Sequence, residues 1–359
     1  MTDFAENNSV HIPVLVQEVI EFLSPNPQGI YVDGTLGGGG HTEAIIQKIQ
    51  NIQNIQNIKK IQEIQQSTQH VAERSGMVIA MDRDIAAINR TEKRLRNIFN
   101  AKSNDNEKEQ SAHISDTFNT LDKNTLDKNC PIRFAHANYC HFDEAIDLLQ
   151  IEKIDGFLLD LGLSSDQLMD GERGFSFDST GLLDLRFDTT EGETARELLE
   201  RLKEEEIANI IYQFGEERYS RRIARAIVER RKARQPIQTA YELAELIRNL
   251  VPRERRTNTK NHSVTLDPAT RTFQALRIAV NEELGALKNV LQTVPNRLKP
   301  HGMMVVISFH SLEDRMVKNA FRDNPCWEIM TKKPVIPSEE EIKRNPRARS
   351  AKLRAARKR

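Results

Sequence analysis

The chain has 359 residues and a mass of 41.1 kDa, 38% of it hydrophobic and 29% charged, which suits one large domain or two lobes around a sizeable core and excludes disorder throughout. No stretch approaches the roughly 18 to 20 apolar residues of a membrane span, and residues 1–13 lack a basic n-region and an apolar h-region, so no membrane partner and a cytoplasmic location are expected. Basic and acidic residues balance at 52 each, which argues against a protein built to coat nucleic acid, and Cys130, Cys140 and Cys326 form no CxxC pair, so neither a disulfide scaffold nor a metal site is expected.

The first predicted strand, 29–33, runs into Asp33-Gly-Thr-Leu-Gly-Gly-Gly-Gly-His41 and a helix-compatible segment. Four consecutive glycines let backbone N–H groups approach a ligand closely where the helix dipole favours negative charge. The run is neither GxGxxG, because position 42 is Thr42, nor a Walker loop. Residues 49–69 follow, with isoleucine at every third position from Ile49 to Ile64 in a matrix of Asn, Gln and Lys. A three-residue step turns about 300° on a helix, so these isoleucines drift around the cylinder, and the segment reads as a low-complexity surface insertion whose removal should leave activity intact. A strand at 77–82 comes next, then a second polar insertion, 101–129, ending in a tandem pentapeptide.

Strands at 132–136, 156–160 and 303–308 complete an alternating pattern that predicts a Rossmann-like α/β sheet with helices on its faces. The long gap before the last strand holds helical patterns at 195–203, 205–214, 218–232 and 240–250. A mostly helical domain, 168–271, is therefore expected inside a core formed by 1–167 and 272–359. Residues 343–359 carry nine basic and no acidic residues, leaving 43 basic and 52 acidic in the rest. This reads as a basic tail on an acidic body, either simply solvated or in contact with nucleic acid. A second cluster, Arg253, Arg255, Arg256, Lys260 and His262, is expected in a loop.

Nucleotide-binding folds place an acidic residue about 20 residues past the glycines, at the end of the second strand, to hold ribose hydroxyls. From Gly40 to Asp82 is 42 residues, and removing the 21-residue segment 49–69 leaves 21. Asp82 is thus the ribose candidate. With Tyr139 in His136-Ala-Asn-Tyr139 and Asp160 at the end of the fourth strand, the pattern favours an adenosine cofactor without a pyrophosphate grip.

These residues resemble the bacterial 16S ribosomal RNA (cytosine-N4) methyltransferases, the RsmH or MraW family. The resemblance runs in order through His11-Ile-Pro-Val14, Tyr31-Val-Asp-Gly-Thr-Leu-Gly37 with Gly39-Gly40-His41, Met81-Asp-Arg-Asp84, Leu159-Asp-Leu-Gly-Leu-Ser-Ser165 with Gln167, Glu172-Arg-Gly-Phe-Ser-Phe177, Phe273-Gln-Ala-Leu-Arg-Ile278 with Val280-Asn281, Ile307-Ser-Phe-His-Ser-Leu-Glu-Asp-Arg315 and Asn345-Pro-Arg-Ala-Arg-Ser-Ala-Lys-Leu-Arg354. It implies an S-adenosyl-L-methionine (AdoMet)-dependent Rossmann-like fold with a helical insertion. The implied target is a cytidine in the decoding centre, the P site, of 16S rRNA in the small (30S) subunit. By position it implies Gly39, Gly40 and His41 on the methionine side, Asp82 on the ribose, Tyr139 beside the adenine, and Asp160 with Gln167 closing the pocket. Tyr139 stands where the family usually has Phe, Leu183-Asp-Leu-Arg-Phe187 replaces Leu-Asp-Met-Arg-Met, and Asp267-Pro268 replaces His-Pro.

Methylation of an exocyclic amine needs the nitrogen positioned, its proton accepted and water excluded, with no metal or covalent cysteine. Asp160, or the turn ending at Ser164, is the expected proton acceptor. Cys140 reads as a structural thiol. Arg277, Asn281, His310, Arg315, Arg347 and Arg349 are RNA-contact candidates, and a Ser311 hydrolase triad is rejected because the Gly-x-Ser-x-Gly elbow is missing. The competing class is a non-catalytic, AdoMet-binding ribosome assembly factor; oligomeric state is not legible.

Overall fold

A computed structural model describes residues 12–63, 76–100, 131–252, 255–256, 264–265 and 267–359. The chain divides into two compact units, 1–162 with 286–359, and 163–285. The helix carrying Phe273 falls within the second unit.

The first unit is built on a seven-stranded sheet. Its strands are β1 (Ile30–Asp33), β2 (Met77–Asp82), β3 (Ile132–His136), β4 (Ile154–Asp160), β7 (Leu298–Ser308), β8 (Trp327–Ile329) and β9 (Lys352–Lys358), in the order β3-β2-β1-β4-β7-β9-β8. β3, β2, β1, β4 and β7 are parallel, and β9 runs antiparallel to both β7 and β8. The five strands read from the sequence are all present. The helices of this unit are α1 (Val16–Leu23), α2 (Gly40–Glu63), α3 (Ile85–Asn100), α4 (Phe142–Leu148), most of α11 (Glu283–Arg297), α12 (Ser311–Asp323) and α13 (Glu339–Arg344). Successive strand residues serve opposite faces, as the period of two requires. Ile30 and Val32 enter one core with Phe142, Phe157 and Val290, while Tyr31 enters the other with Ile45, Ile46 and Val305.

Two expectations are corrected here. The segment from Ile49 is not a surface loop at its start: α2 continues to Glu63 and Ile49 is fully buried beside Ile45 and Ile46. The isoleucine period drifts, but its first member still falls on the buried stripe set by Ile45 and Ile46. Residues 64–69 and the 101–129 segment lie outside the described residues. The basic C-terminus is not a free tail either. β9 is an interior strand whose Leu353, Ala355 and Ala356 are fully buried. Arg354 pairs with Asp314 at 2.6 Å, Arg357 pairs with Glu328 at 2.7 Å, and Lys358 Nζ donates to Leu298 O. Charge density concealed the apolar residues between, and long basic stems can lie along apolar surface while their heads find partners.

The second unit holds α5 (Ser165–Met169), α6 (Ala195–Arg201), α7 (Glu204–Gly215), α8 (Ser220–Lys232), α9 (Ala240–Leu250), a two-stranded ribbon β5 (Arg255–Arg256) and β6 (Val264–Thr265), and α10 (Thr270–Asn281). Its core gathers Phe175, Leu183, Ile207, Ile211, Ile223, Ile227, Leu243, Ile247, Phe273 and Leu276. Thr194 and Thr239 cap α6 and α9 with their side chains, satisfying N–H groups that a helix start leaves orphaned. No helix among the described residues is long and apolar enough to cross a membrane.

Candidate active site

In the first unit the strand order reverses between β1 and β4, and a parallel sheet opens its binding crevice at the carboxyl ends of such a pair. Three adjacent strands end there on carboxylates: Asp33 on β1, Asp82 on β2 and Asp160 on β4. Burial pushes the carboxyls of Asp82 and Asp160 up to about 6, and raises that of Asp33. For Asp160 the nearby His41 opposes the rise, while Asp33 and Glu313 add to it.

The glycine loop joins β1 to α2. Asp82 Oδ2 accepts from Gly37 N at 2.8 Å and Oδ1 from Asp84 N at 2.9 Å, so the predicted ribose carboxylate also holds the loop. Each oxygen keeps a second lone pair for a ligand hydroxyl. Thr91 and Arg94 of α3 donate to the carbonyls of Gly37 and Gly38, fixing the loop's outer edge. Gly39 has φ +75°, and a Cβ there would lie 2.4 Å from Thr91 Cγ2. At Gly34 a Cβ would meet Tyr139 Cβ at 2.9 Å and a Leu159 methyl at 2.8 Å, which brings the predicted adenine-side residue against the end of β1. Tyr139 itself opens a short 3-10 turn, Tyr139–His141, capped by Asn138.

His41, buried in the first turn of α2, lies 2.9 Å through Nε2 from the carbonyl of Val14. A carbonyl only accepts, so that nitrogen carries the proton and Nδ1 faces Asp160 Oδ2 at 3.6 Å. The Asp160 backbone N–H donates to Thr35 Oγ1 at 2.6 Å, and its Oδ1 is buried with no hydrogen-bond partner among the described residues. A buried, unpaired carboxylate oxygen is costly. Its position at the strand end suits a polar ligand hydrogen. Asp33 was not among the predicted site residues, although it was visible as one of three strand-ending carboxylates; its Oδ2 accepts from Thr42 Oγ1 at 2.7 Å. The Thr35 contact spans 125 residues and left no local signal.

The remaining predicted residues divide by what holds them. Ser164 and Gln167 form a capping box that starts α5: Ser164 Oγ accepts from Gln167 N, and Gln167 Oε1 from Ser164 N at 3.0 Å. Asn281 is spent inside the helical unit. Its amide donates to Leu185 O at 2.7 Å and Arg277 O at 2.9 Å, and its oxygen accepts from Phe187 N at 2.7 Å. Arg277 grips Glu283 through two hydrogen bonds of 2.7 and 2.9 Å. This clamp receives the unusual Phe187, whose ring stacks on Phe175 at 5.9 Å. Asp267, the other departure, pairs with Arg248 at 2.7 Å.

His310 is the N-cap of α12: Nδ1 accepts from Glu313 N at 3.4 Å, while Nε2 lies 3.0 Å from Glu313 Oε1 without hydrogen-bond alignment. Arg315, Arg347 and Arg349 are exposed. Of the second basic cluster, Arg255 and Arg256 have a described backbone only, and Arg253, Lys260 and His262 lie outside the described residues. Burial pushes the Cys140 thiol up, the opposite of nucleophile activation, which agrees with a structural role.

The sequence matches the model of the MraW methylase family over residues 8–129 and 115–359. A Ribosomal RNA small subunit methyltransferase H of Rhodopirellula baltica is 42% identical over 348 residues, 96% of this chain and 90% of that protein. The protein of the same name from Kosmotoga olearia is 42% identical over 352 residues, covering 97% of each chain. Among solved structures, an rRNA methylase from Streptococcus thermophilus superposes with a TM-score of 0.40 at 9% identity, over 97% of this chain and 98% of that one. With its sequence matched from residue 8 to the C-terminus and relatives of this identity along almost its whole length, the chain belongs to the MraW methylase family.

Proposed function

We propose that the protein is an AdoMet-dependent methyltransferase that methylates N4 of a cytidine in the P-site region of 16S rRNA within the small (30S) ribosomal subunit. The observation that carries this reading is the orphaned Oδ1 of Asp160 at the carboxyl end of β4, backed by His41. The names of the small-subunit rRNA relatives support the substrate class. AdoMet, when bound, supplies an electrophilic methyl group for in-line transfer to the amine. The chain's residues fit such a donor: Asp82 retains lone pairs for ribose hydroxyls, the loop through Gly39 presents bare backbone, and Tyr139 offers a flat ring beside the end of β1.

The nucleophile is an exocyclic amine whose lone pair is delocalised into the ring, so it attacks well only if a base takes its proton as the bond forms. Asp160 Oδ1 is that base. Thr35 anchors the residue's backbone, and His41, held by Val14, faces the other oxygen, so the carboxylate keeps one orientation. A proton gained at Oδ1 can be redistributed to His41 Nδ1. The pyrimidine stays uncharged and water need not enter.

The test is transfer from labelled AdoMet to small subunits lacking the modification, followed by nucleoside mass spectrometry. N4-methylcytidine is the expected product. AdoMet binding without transfer would leave an assembly factor, and another methylated nucleoside would overturn the proposed substrate. Asp160→Asn should retain AdoMet and lose turnover on the order of 10²-fold or more.

A further inference from the structure

We infer that the exposed face at the start of α8 is a phosphate-binding surface for the rRNA substrate. Arg221 and Arg222 lie four and three residues before Arg225 in α8, so these three share one stripe, and Arg218 stands in the turn just before the helix. All four are exposed, and behind them Ile223, Ala224 and Ile227 are buried in the helical core. Arg221 and Arg222 have no hydrogen-bond or ion-pair partner among the described residues, Arg218 lies against the Tyr219 ring at 5.0 Å, and Arg225 reaches Glu204 only at 3.6 Å.

On the same unit the exposed Arg201 is neutralised by Glu193 at 2.7 Å. The first turn of α8 contains no acidic residue. Like charges three and four residues apart destabilise a helix, and cations near its N-terminus oppose the dipole, so the stripe works against α8 unless an anion meets it. Arginine fork geometry suits phosphate oxygens, and three heads along one helix edge suit a polyanion rather than a single ion. The inference rests on the proposed rRNA substrate and adds where the chain grips it. Phosphate contacts carry no sequence information; they set register and make affinity fall with salt.

The test compares wild type, the triple variant Arg221→Gln/Arg222→Gln/Arg225→Gln, and the paired-arginine control Arg201→Gln. Affinity for unmodified small subunits and for deproteinised 16S rRNA is measured against salt, with the KM for subunits, AdoMet affinity and thermal unfolding alongside. The triple variant should keep its fold and AdoMet affinity. Its KM should rise on the order of ten-fold, and the slope of log affinity against log salt should flatten by about 2 to 3. Arg201→Gln should change neither. An unchanged slope and KM in the triple variant, or an equal change in the control, would overturn the inference. So would loss of binding to subunits with full binding retained to deproteinised rRNA, since the partner would then be a ribosomal protein. If wild type transfers no methyl group the proposed reaction fails, but the salt slopes still decide the surface.

Discussion

At the scale of single residues, the site is governed by carboxylates brought out of water at three adjacent strand ends. As the proposed base, Asp160 must be ionised to accept a proton, and burial pushes its carboxyl up to about 6, so turnover should fall as pH drops through that value. A pH–rate profile at saturating AdoMet should show this acid limb, and a profile flat to pH 5 would remove Asp160 as the base. Stability should move the other way. Asp82 and Asp160 have folded-state values raised above the unfolded ones, so between about pH 4 and 6 the folded chain binds more protons. Their contribution is present in full below that window and is lost as pH rises through it. Asp160→Asn should therefore raise the melting temperature more at pH 7.5 than at pH 5. Gly39→Ala tests the loop: its φ of +75° and the 2.4 Å approach to Thr91 require the loop to shift, which should weaken AdoMet binding at least ten-fold by titration calorimetry.

At the scale of elements, β9 and the Asn281 clamp show what pattern reading misses. A basic tail could be cut away without structural cost, whereas a strand between β7 and β8 could not. Truncation after Ala351 should abolish soluble expression or cooperative unfolding, and an intact melting transition would contradict the strand. Asn281→Ala strands the N–H of Phe187 and the carbonyl of Leu185, so denaturant unfolding should show a loss of about 2 to 3 kcal/mol. Asn281 was expected to meet RNA because it is a polar residue in a motif; its three bonds join positions 94 and 96 residues away as well as one turn back, and no local period records that. The four helices read between 195 and 250 were legible because their apolar residues recur at helical spacing, and α6 and α9 also start on threonine caps.

At the scale of the whole molecule, residues 163–285 enclose a core of their own, from Phe175 to Leu276. Expressed alone, this segment should give a helical spectrum and a cooperative thermal transition; a gradual melt would mean that its core needs the rest of the chain. The sequence by itself determined the five parallel strands, because each is a short apolar run punctuated by turn residues, and the placing of Asp82 and Asp160 at strand ends near the glycine loop, because a glycine loop and strand-end acids keep their chain spacing once an insertion is set aside. Tertiary structure decided which charges are free. Arg354 is taken by Asp314 and Arg277 by Glu283, while among the described residues Arg221 and Arg222 of α8 have no partner. A side chain's partners are set by residues tens or hundreds of positions away, and hydrophobic period or local charge density carries no information at that range.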